Sequence, residues 1–443
     1  MKLRNFKTVM AAGVLSLILM RGEAQQTKQL ALKEAIGLSI AHSPDLKLSE
    51  AKISEASAAL RIARDNRLPE ASLSGSHIRL NSPNVDLKTA NTNSGSGGTQ
   101  AQPIKINSAT YGLLNVSLPL YAGGKIQYGI ESSRYLAEAA RLDAINDREG
   151  IMLNTINAFS NLYKAKAAVN VVRENLEGNK ERVRQFTNLE KNGLLPRNDL
   201  LKANLQESNT SLTLAEAENN LKLANANMII MLGLPDTVVL EPVINGWNTG
   251  QVKSIEDYLQ LATQNRKDVA ASGLRSKAAS TGVKVAKANY YPSLALTGGY
   301  IAANVPHFLT ITNAANVGVG LSYSLSSLWK NAAVVDQAKS RQLQVEASAI
   351  MLADGIRMEV NQAYYNYTLS LQKIETYQSA VTQAEENYRI TKNKYDNALM
   401  TTTDLLDADV AQLQAKLNFA FAEADASAAY SKLLQATGTL VEL

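Results

Sequence analysis

Residues 317–325 read Val-Gly-Val-Gly-Leu-Ser-Tyr-Ser-Leu. Large apolar residues alternate with glycine and serine, which is the period-two pattern of a strand with one apolar and one small polar face. Residues 114–120, Leu-Asn-Val-Ser-Leu-Pro-Leu, alternate in the same way. The pattern and its weaker copies predict four strands, at about 71–80, 111–121, 294–303 and 316–325.

These strands have about the length that a tilted strand needs to cross a bilayer. An antiparallel sheet over a soluble core would show the same alternation. The flanking sequence, however, offers no apolar layer to cover the strand faces. Aromatic residues also lie near the predicted strand ends, as interfacial girdles do: Tyr111, Tyr121, Tyr290, Tyr291, Tyr300 and Trp329.

The rest of the chain is predicted to be helical. Proline is absent from 125–190 and from 330–395, and a helix of such length extends on the order of 100 Å. Apolar residues recur three and four positions apart, as at Leu406, Val410 and Leu413, which is typical of antiparallel coiled-coil packing. The long helices are predicted at about 125–190, 197–232, 330–395 and 402–436.

The chain is an internal duplication. A shift of 205 positions aligns Ser117 with Ser322 and residues 199–201 with 404–406, and a larger shift aligns Pro69 with Pro292. Because the two shifts differ, the first repeat contains an insertion, which lies within 81–106. This segment is rich in Ser, Gly, Asn and Thr, and we expect it to be an exposed loop. Each unit is helix–strand–strand–helix–helix, and the predicted order is a first repeat (25–238), a linker (239–254) and a second repeat (255–443).

The first 24 residues have the features of a secretory signal peptide: Lys2 and Arg4, an apolar stretch over 9–20, and a small residue at Ala24. An uncleaved signal anchor is the alternative, but the apolar stretch is short for a membrane helix. Removal of four basic residues and one acidic residue lowers the formal charge from +5 to +2. So small a charge gives no indication of a nucleic-acid partner.

Composition excludes several kinds of chemistry. The chain has no cysteine, and its three histidines, His42, His77 and His307, lie far apart, so neither a metal site nor another cofactor is expected. The sequence has no zinc-protease, nucleophile-elbow or phosphate-loop motif. The residues therefore predict a protein that is not an enzyme.

Four strands are too few to close a barrel, and an open sheet edge facing lipid leaves backbone N–H and C=O groups unsatisfied. Two copies would give a barrel filled by side chains, whereas three give 12 strands and an aqueous bore. We therefore predict a trimer. Its fold would be mostly α-helical with a small membrane β component, a 12-stranded β-barrel continued by a long α-helical coiled-coil tunnel.

The duplicated pattern, the prolines at Pro69 and Pro292, and the turn segments 193–201 and 403–408 resemble the TolC-like outer-membrane factor family. The resemblance implies a homotrimeric outer-membrane exit duct with a long periplasmic helical portion. Such a duct passively conducts small molecules or proteins in tripartite efflux or type I secretion. The implied partners are a periplasmic adaptor (membrane fusion) protein, an inner-membrane RND- or ABC-type transporter and outer-membrane lipid.

The same resemblance implies a periplasmic gate. Asp404 and Asp407 match a carboxylate pair that narrows the periplasmic mouth, and Tyr395 and Asp199 match residues that tie the closed helices together. Met400 stands where relatives often have a basic residue. The alternatives are a helix cap for Asp404 and a first-turn dipole partner for Asp199.

The adaptor is expected to touch the turns of the two helical hairpins, at Gly193, Leu194, Leu195, Ala398 and Leu399. Leucines exposed at a turn fit a partner surface, although they could instead staple the turn internally. Two other functions stay open at this point. One is a structural periplasm-spanning coiled coil or an adhesin-type surface protein without a bore, and the other is a diffusion porin, which would lack the long helices.

Overall fold

The computed structural model describes residues 26–81, 83, 106–243, 250–306 and 308–440. The predicted signal peptide, most of the predicted insertion (84–105) and His307 lie outside these residues. The described chain is mostly helical with a small β component, as predicted. Among the described residues, none of the helices combines the length and the apolar character that crossing a bilayer requires.

The elements follow the chain in a fixed order. They are β1 (Gln26–Ala31), α1 (Leu32–His42), α2 (Pro44–Asp65), β2 (Glu70–Arg79), β3 (Ser108–Ala122), α3 (Lys125–Lys191), α4 (Arg197–Leu232), β4 (Val238–Val243), α5 (Ile255–Asn265), α6 (Lys267–Ala288), β5 (Ser293–Val305), β6 (Leu309–Ser322), α7 (Ser327–Asp396) and α8 (Thr402–Ala436).

The larger sheet has the strand order β2-β3-β5-β6, and all of its pairs are antiparallel. The strand expected at 316–325 spans Leu309–Ser322 instead. Its length is set by β5, since Val305 pairs with Leu309 and Ser293 pairs with Ser322. Residues 323–325 therefore lie beyond the last paired position, although they continue the alternation.

A second, two-stranded parallel sheet pairs β1 with β4, beginning at Gln26 and Val238. The sequence predicted helix at the first position and a linker (239–254) at the second. Each strand has six residues, too few for period two to be distinguished from irregular chain. The partner strand is also distant in sequence, so local pattern could not reveal the pairing.

The chain forms two compact units. One comprises Lys52–Arg141 and Ala270–Ile350 and contains the four-stranded sheet. The other comprises, among the described residues, 26–51, 142–243, 250–269 and 351–440, and contains the two helical hairpin turns.

The hydrophobic core of the hairpin-containing unit follows the predicted seams in part. Met152, Ile156 and Phe159 of α3 are buried in it. On α8 the expected stripe fails at Val410, whose side chain is 45% exposed, while its neighbour Asp409 is buried. The buried face of α8 is therefore rotated by one residue at this point, and a carboxylate enters the helix interface.

An ionic cluster joins α5, α6, α7 and α8 in the same unit. The Arg266 guanidinium donates to both Asp268 oxygens at 3.0 and 2.6 Å, to Glu359 at 2.7 Å and to the Ala436 carbonyl at 3.0 Å. Lys432 donates to the other Glu359 oxygen. Since Arg266 is itself buried, these acceptors supply the partners that a desolvated charge requires.

Candidate functional site

The two helical hairpins turn through the same backbone geometry. Gly193 has φ of 71° and Ala398 has φ of 58°. The amides of Gly193 and Leu194 donate to carbonyls at 190 and 189, and those of Ala398 and Leu399 donate to carbonyls at 395 and 394. This is the paired bonding of a Schellman helix end. In the second turn the left-handed residue is Ala398 and not the preceding Asn397, although asparagine adopts a positive φ more readily than alanine.

The leucines at the turns fall into two groups. Leu194 and Leu399 are each 73% exposed, so neither staples its turn. Leu195 is half-buried and packs on the cluster of Phe186, Ala203 and Leu405. The outermost leucines are thus free to meet another surface, whereas Leu195 contributes to the core.

Asp404 caps α8. The Thr401 hydroxyl accepts from the Asp404 amide at 3.2 Å, and the Asp404 carboxylate accepts from the Thr401 amide at 3.0 Å and from its hydroxyl at 2.7 Å. These reciprocal hydrogen bonds form a capping box, so the helix-cap alternative for Asp404 is confirmed. These hydrogen bonds from Thr401 lower the pKa of the Asp404 carboxyl from its ordinary value. Asp407 is also exposed, and its spacing from Asp404 puts both carboxylates on one helix face.

The structure does not bring Tyr395 and Asp199 together by a hydrogen bond in the described chain. The Tyr395 ring stacks on Phe186 with centroids 5.7 Å apart, and its hydroxyl accepts from Thr402 at 3.4 Å. Asp199 instead accepts from Lys202 at 3.4 Å. The Asp199 carboxylate therefore has its own partner within the first turn of α4.

Lys202 was missed by the sequence analysis. Its ammonium group donates both to Asp199 and, at 3.0 Å, to the Thr403 hydroxyl of α8. It therefore links the starts of the two returning helices. A cation close to the carboxylate face is present even though Met400 occupies the position expected to be basic.

A buried polar network farther from the turns was also missed. Arg182 on α3 donates to Asp409 on α8 at 3.1 Å, to the Tyr388 hydroxyl on α7 at 2.9 Å and to the Asn179 side-chain oxygen at 2.8 Å. Asn179 in turn donates to Thr210 on α4 at 3.0 Å. Four helices therefore share one hydrogen-bond network. Asp409 lies next to Val410 of the predicted apolar stripe, but Asp404 and Asp407 precede it on α8, so no signal in the sequence set Asp409 apart.

The four-stranded sheet presents an uncovered apolar face. Cross-strand pairing places Leu73, Leu114 and Tyr300 in one row and Leu296 opposite Val319 in another. Leu73 is 81% exposed and Val319 is 63% exposed. Within the described residues, β2 and β6 each pair along one side only. An apolar surface of this kind marks contact with lipid or with another protein.

The described residues contain no group of three or more His, Asp or Glu side chains arranged to hold a metal ion. The sequence profile of the family described as "Outer membrane efflux protein" matches residues 35–234 and 258–439. The chain belongs to this family. The predicted TolC-like resemblance is therefore confirmed, and the chain is an outer-membrane, TolC-like efflux protein.

Individual relatives of this efflux protein are distant. BepC, an outer membrane efflux protein of Brucella suis biovar 1 (strain 1330), is 22% identical over 427 residues, which are 93% of this chain and 91% of BepC. TolC of Salmonella enteritidis is 24% identical over 309 residues, 67% of this chain and 62% of TolC. That alignment thus spans less than two thirds of TolC.

Solved structures share the fold of this efflux protein. The outer membrane protein VceC from Vibrio cholerae superimposes with a TM-score of 0.77 at 20% identity, covering 92% of this chain and 96% of VceC. The outer-membrane channel OprN superimposes with a TM-score of 0.78 at 20% identity, and the match covers 92% of this chain and 89% of OprN.

Proposed function

We propose that this efflux protein is the outer-membrane exit duct of a tripartite efflux or type I secretion system. The duct passively conducts small molecules or proteins to the outside and catalyses no reaction. The observation that carries the proposal is the four-stranded sheet, with its exposed apolar face and with two edge strands that pair on one side only among the described residues. Such a sheet suits lipid on the apolar face and requires partner strands at both edges.

Three copies supply those partner strands. The outer edge of β2 in one copy would pair with the outer edge of β6 in the next, giving 12 strands around an aqueous bore. A closed ring leaves no edge in contact with lipid. The long helices of the three copies would then form a coiled-coil tunnel on the periplasmic side.

The hairpin turns are the proposed contact for a periplasmic adaptor protein. Leu194 and Leu399 project from turns of equal geometry, so an adaptor could use one kind of contact at both repeats. The adaptor would join the duct to an RND- or ABC-type inner-membrane transporter. Asp404, Asp407, Tyr395 and Asp199, near these turns, are proposed to form the periplasmic constriction.

The test is to purify the full chain in detergent, measure its protein mass by light scattering and record currents in planar bilayers. A mass of three chains together with discrete conductance steps is expected. A mass of one chain would refute the duct. A trimer without conductance would favour the alternative, a structural periplasm-spanning coiled coil or adhesin-type protein.

A further inference from the structure

A groove rich in arginine lies between α2 and α3, within the unit that contains the four-stranded sheet. Arg61 and Arg64 line it from α2, Arg134 and Arg141 line it from α3, and Glu138 is its one acidic lining residue. The groove has a volume of about 530 Å³. Four guanidinium groups against one carboxylate give the groove a strong positive charge.

These four arginines are exposed, and no salt bridge or hydrogen bond is recorded for their side chains within the described part of the chain. Arg134 has one weaker contact, over the ring of Tyr135 at 5.4 Å. Like charges three or four residues apart on a helix destabilise it slightly. This cost applies to Arg61 and Arg64, which are three residues apart on α2, and an anion bound beside them would remove it.

The second repeat provides an internal comparison. The positions that correspond to the four arginines, in chain order, are Lys284, Lys287, Lys339 and Glu346. Lys284 lies over the Tyr128 ring at 5.6 Å, and Lys339 pairs with Asp336 at 3.3 Å. Of the four positions in the second repeat, one is paired with a carboxylate and one is itself acidic, so their net charge is lower than that of the four arginines. None of the four is an arginine.

The groove between α6 and α7 agrees with this contrast. It has a volume of about 240 Å³ and one charged lining residue, Arg341. The corresponding helix pairs of the two repeats, α2 with α3 and α6 with α7, therefore enclose grooves of different size and charge. An arginine-rich groove between these helices is therefore found in the first repeat and not in the second.

We propose that the arginine groove is a binding site for a phosphate-bearing anion. Guanidinium groups offer planar pairs of N–H donors that match phosphate oxygens, and they remain charged at every physiological pH. Pairs of arginines on facing helices can bind two phosphate groups or one phosphodiester from both sides. The site is separate from the residues assigned to the gate and to the adaptor contact.

The position of the groove admits two sources of such an anion. α2 ends at Asp65 and β2 begins at Glu70, while α3 begins at Lys125 directly after β3 ends at Ala122. The groove therefore lies within a few helical turns of the strands proposed to enter the membrane, where phospholipid headgroups are found. A soluble phosphate compound carries the same chemistry.

Calorimetric titration of the full chain in neutral detergent at low salt distinguishes these sources. The probes are inorganic pyrophosphate, dihexanoylphosphatidylglycerol and, as a zwitterionic comparison, dihexanoylphosphatidylcholine. We expect at least one of the two anionic probes to bind more tightly than the zwitterionic lipid. Binding of the anionic lipid alone identifies a headgroup site, and binding of pyrophosphate alone identifies a site for a soluble phosphate.

Variants R61Q/R64Q and R134Q/R141Q should each weaken that binding about tenfold or more, the affinity carried by one charge-assisted hydrogen bond. R64K keeps the positive charge but lacks the paired N–H donors of a guanidinium group, so it should weaken binding of the probe less than the glutamine variants do. The matched control, K284Q/K287Q, removes the same number of charges from the second repeat and should change affinity by less than about twofold. Absence of binding by both anionic probes, or an equal loss in the control, would overturn the proposal.

Discussion

Arg182 and Asp409 form an ion pair of 3.1 Å in which the two side chains are only 9% and 6% exposed. Burial would lower the pKa of Arg182, but the hydrogen bond and the charge of Asp409 outweigh burial and raise it. Asn175 donates to the second Asp409 oxygen at 3.3 Å, so both carboxylate oxygens have donors. The buried Asp409 carboxylate thus has a donor for each oxygen at the interface of α3 and α8.

Removal of one partner should destabilise the protein strongly. D409A leaves the Arg182 guanidinium buried without its counter-charge, which typically costs about 3–5 kcal/mol. Denaturant titration followed by helical circular dichroism measures the loss. The double variant R182M/D409L removes both charges and should be close to wild type in stability. If D409A were as stable as the double variant, the buried pair would not have the role assigned here.

Ala398 and Gly193 offer a reciprocal test of the hairpin turns. Ala398 adopts a positive φ that favours glycine, so A398G should raise the unfolding free energy by about 0.5–1 kcal/mol. G193A should lower it by about 1 kcal/mol for the same reason. Thermal unfolding of both variants checks the signs. A loss of stability in A398G would show that the alanine side chain makes contacts that outweigh the strain.

The carboxylates at 404 and 407 are predicted to narrow the conducting path. D404A/D407A should raise single-channel conductance in planar bilayers and reduce selectivity for cations, because a ring of carboxylates attracts cations. D404N/D407N keeps an oxygen for the Thr401 cap and should change selectivity in the same direction. Unchanged conductance and selectivity in both variants would remove the gate assignment and leave Asp404 as a helix cap.

The two outermost leucines are predicted to carry the adaptor contact. L194E/L399E places charges at an apolar contact and should abolish drug export by intact cells, while the trimer still assembles. L194M/L399M keeps the apolar surface and should export normally. Export by the charged variant at the wild-type level would exclude these leucines from the contact.

The ionic cluster around Glu359 predicts a dependence of stability on pH. Burial would raise the pKa of Glu359, but hydrogen bonds from Lys432 and Arg266 outweigh burial and lower it below its ordinary value of 4.5. A lowered pKa contributes stability that is present above pH 4.5 and is lost as the pH falls through the folded-state pKa. The melting temperature of the wild type should therefore fall on acidification across this window.

E359Q should reduce that acid-dependent fall and should be less stable than wild type at neutral pH. The control is E386Q, which removes an exposed carboxylate paired with Arg389. Exposed pairs contribute little to stability, so E386Q should follow the wild-type pH profile closely. Equal acid dependence in wild type and E359Q would contradict the proposed linkage.

Features with a local periodic signal were predictable from the sequence. The helix expected at about 125–190 spans Lys125–Lys191, and the one expected at about 330–395 spans Ser327–Asp396. Period two and the absence of proline are properties of neighbouring residues, so they are visible without knowledge of the tertiary structure. The capping box at Thr401 and Asp404 is local in the same sense.

Features that depend on distant partners were not predictable. Asp409 shares one network with Arg182 and Tyr388, residues from three helices that no spacing rule connects. Lys202 of the first hairpin donates a hydrogen bond to Thr403 of the second hairpin. The parallel pairing of β1 with β4 joins segments separated by most of the first repeat. In each case tertiary packing selects the partner.

The pairing of β1 with β4 also has a consequence for folding, because β1 is synthesised long before the strand with which it pairs. Gln26–Ala31 emerges early, yet its hydrogen-bonding partner is made only after both helices of the first hairpin. Long-range pairings of this kind slow folding more than they reduce stability. The backbone N–H and C=O groups of β1 that bond to β4 therefore have no partner until β4 has been synthesised.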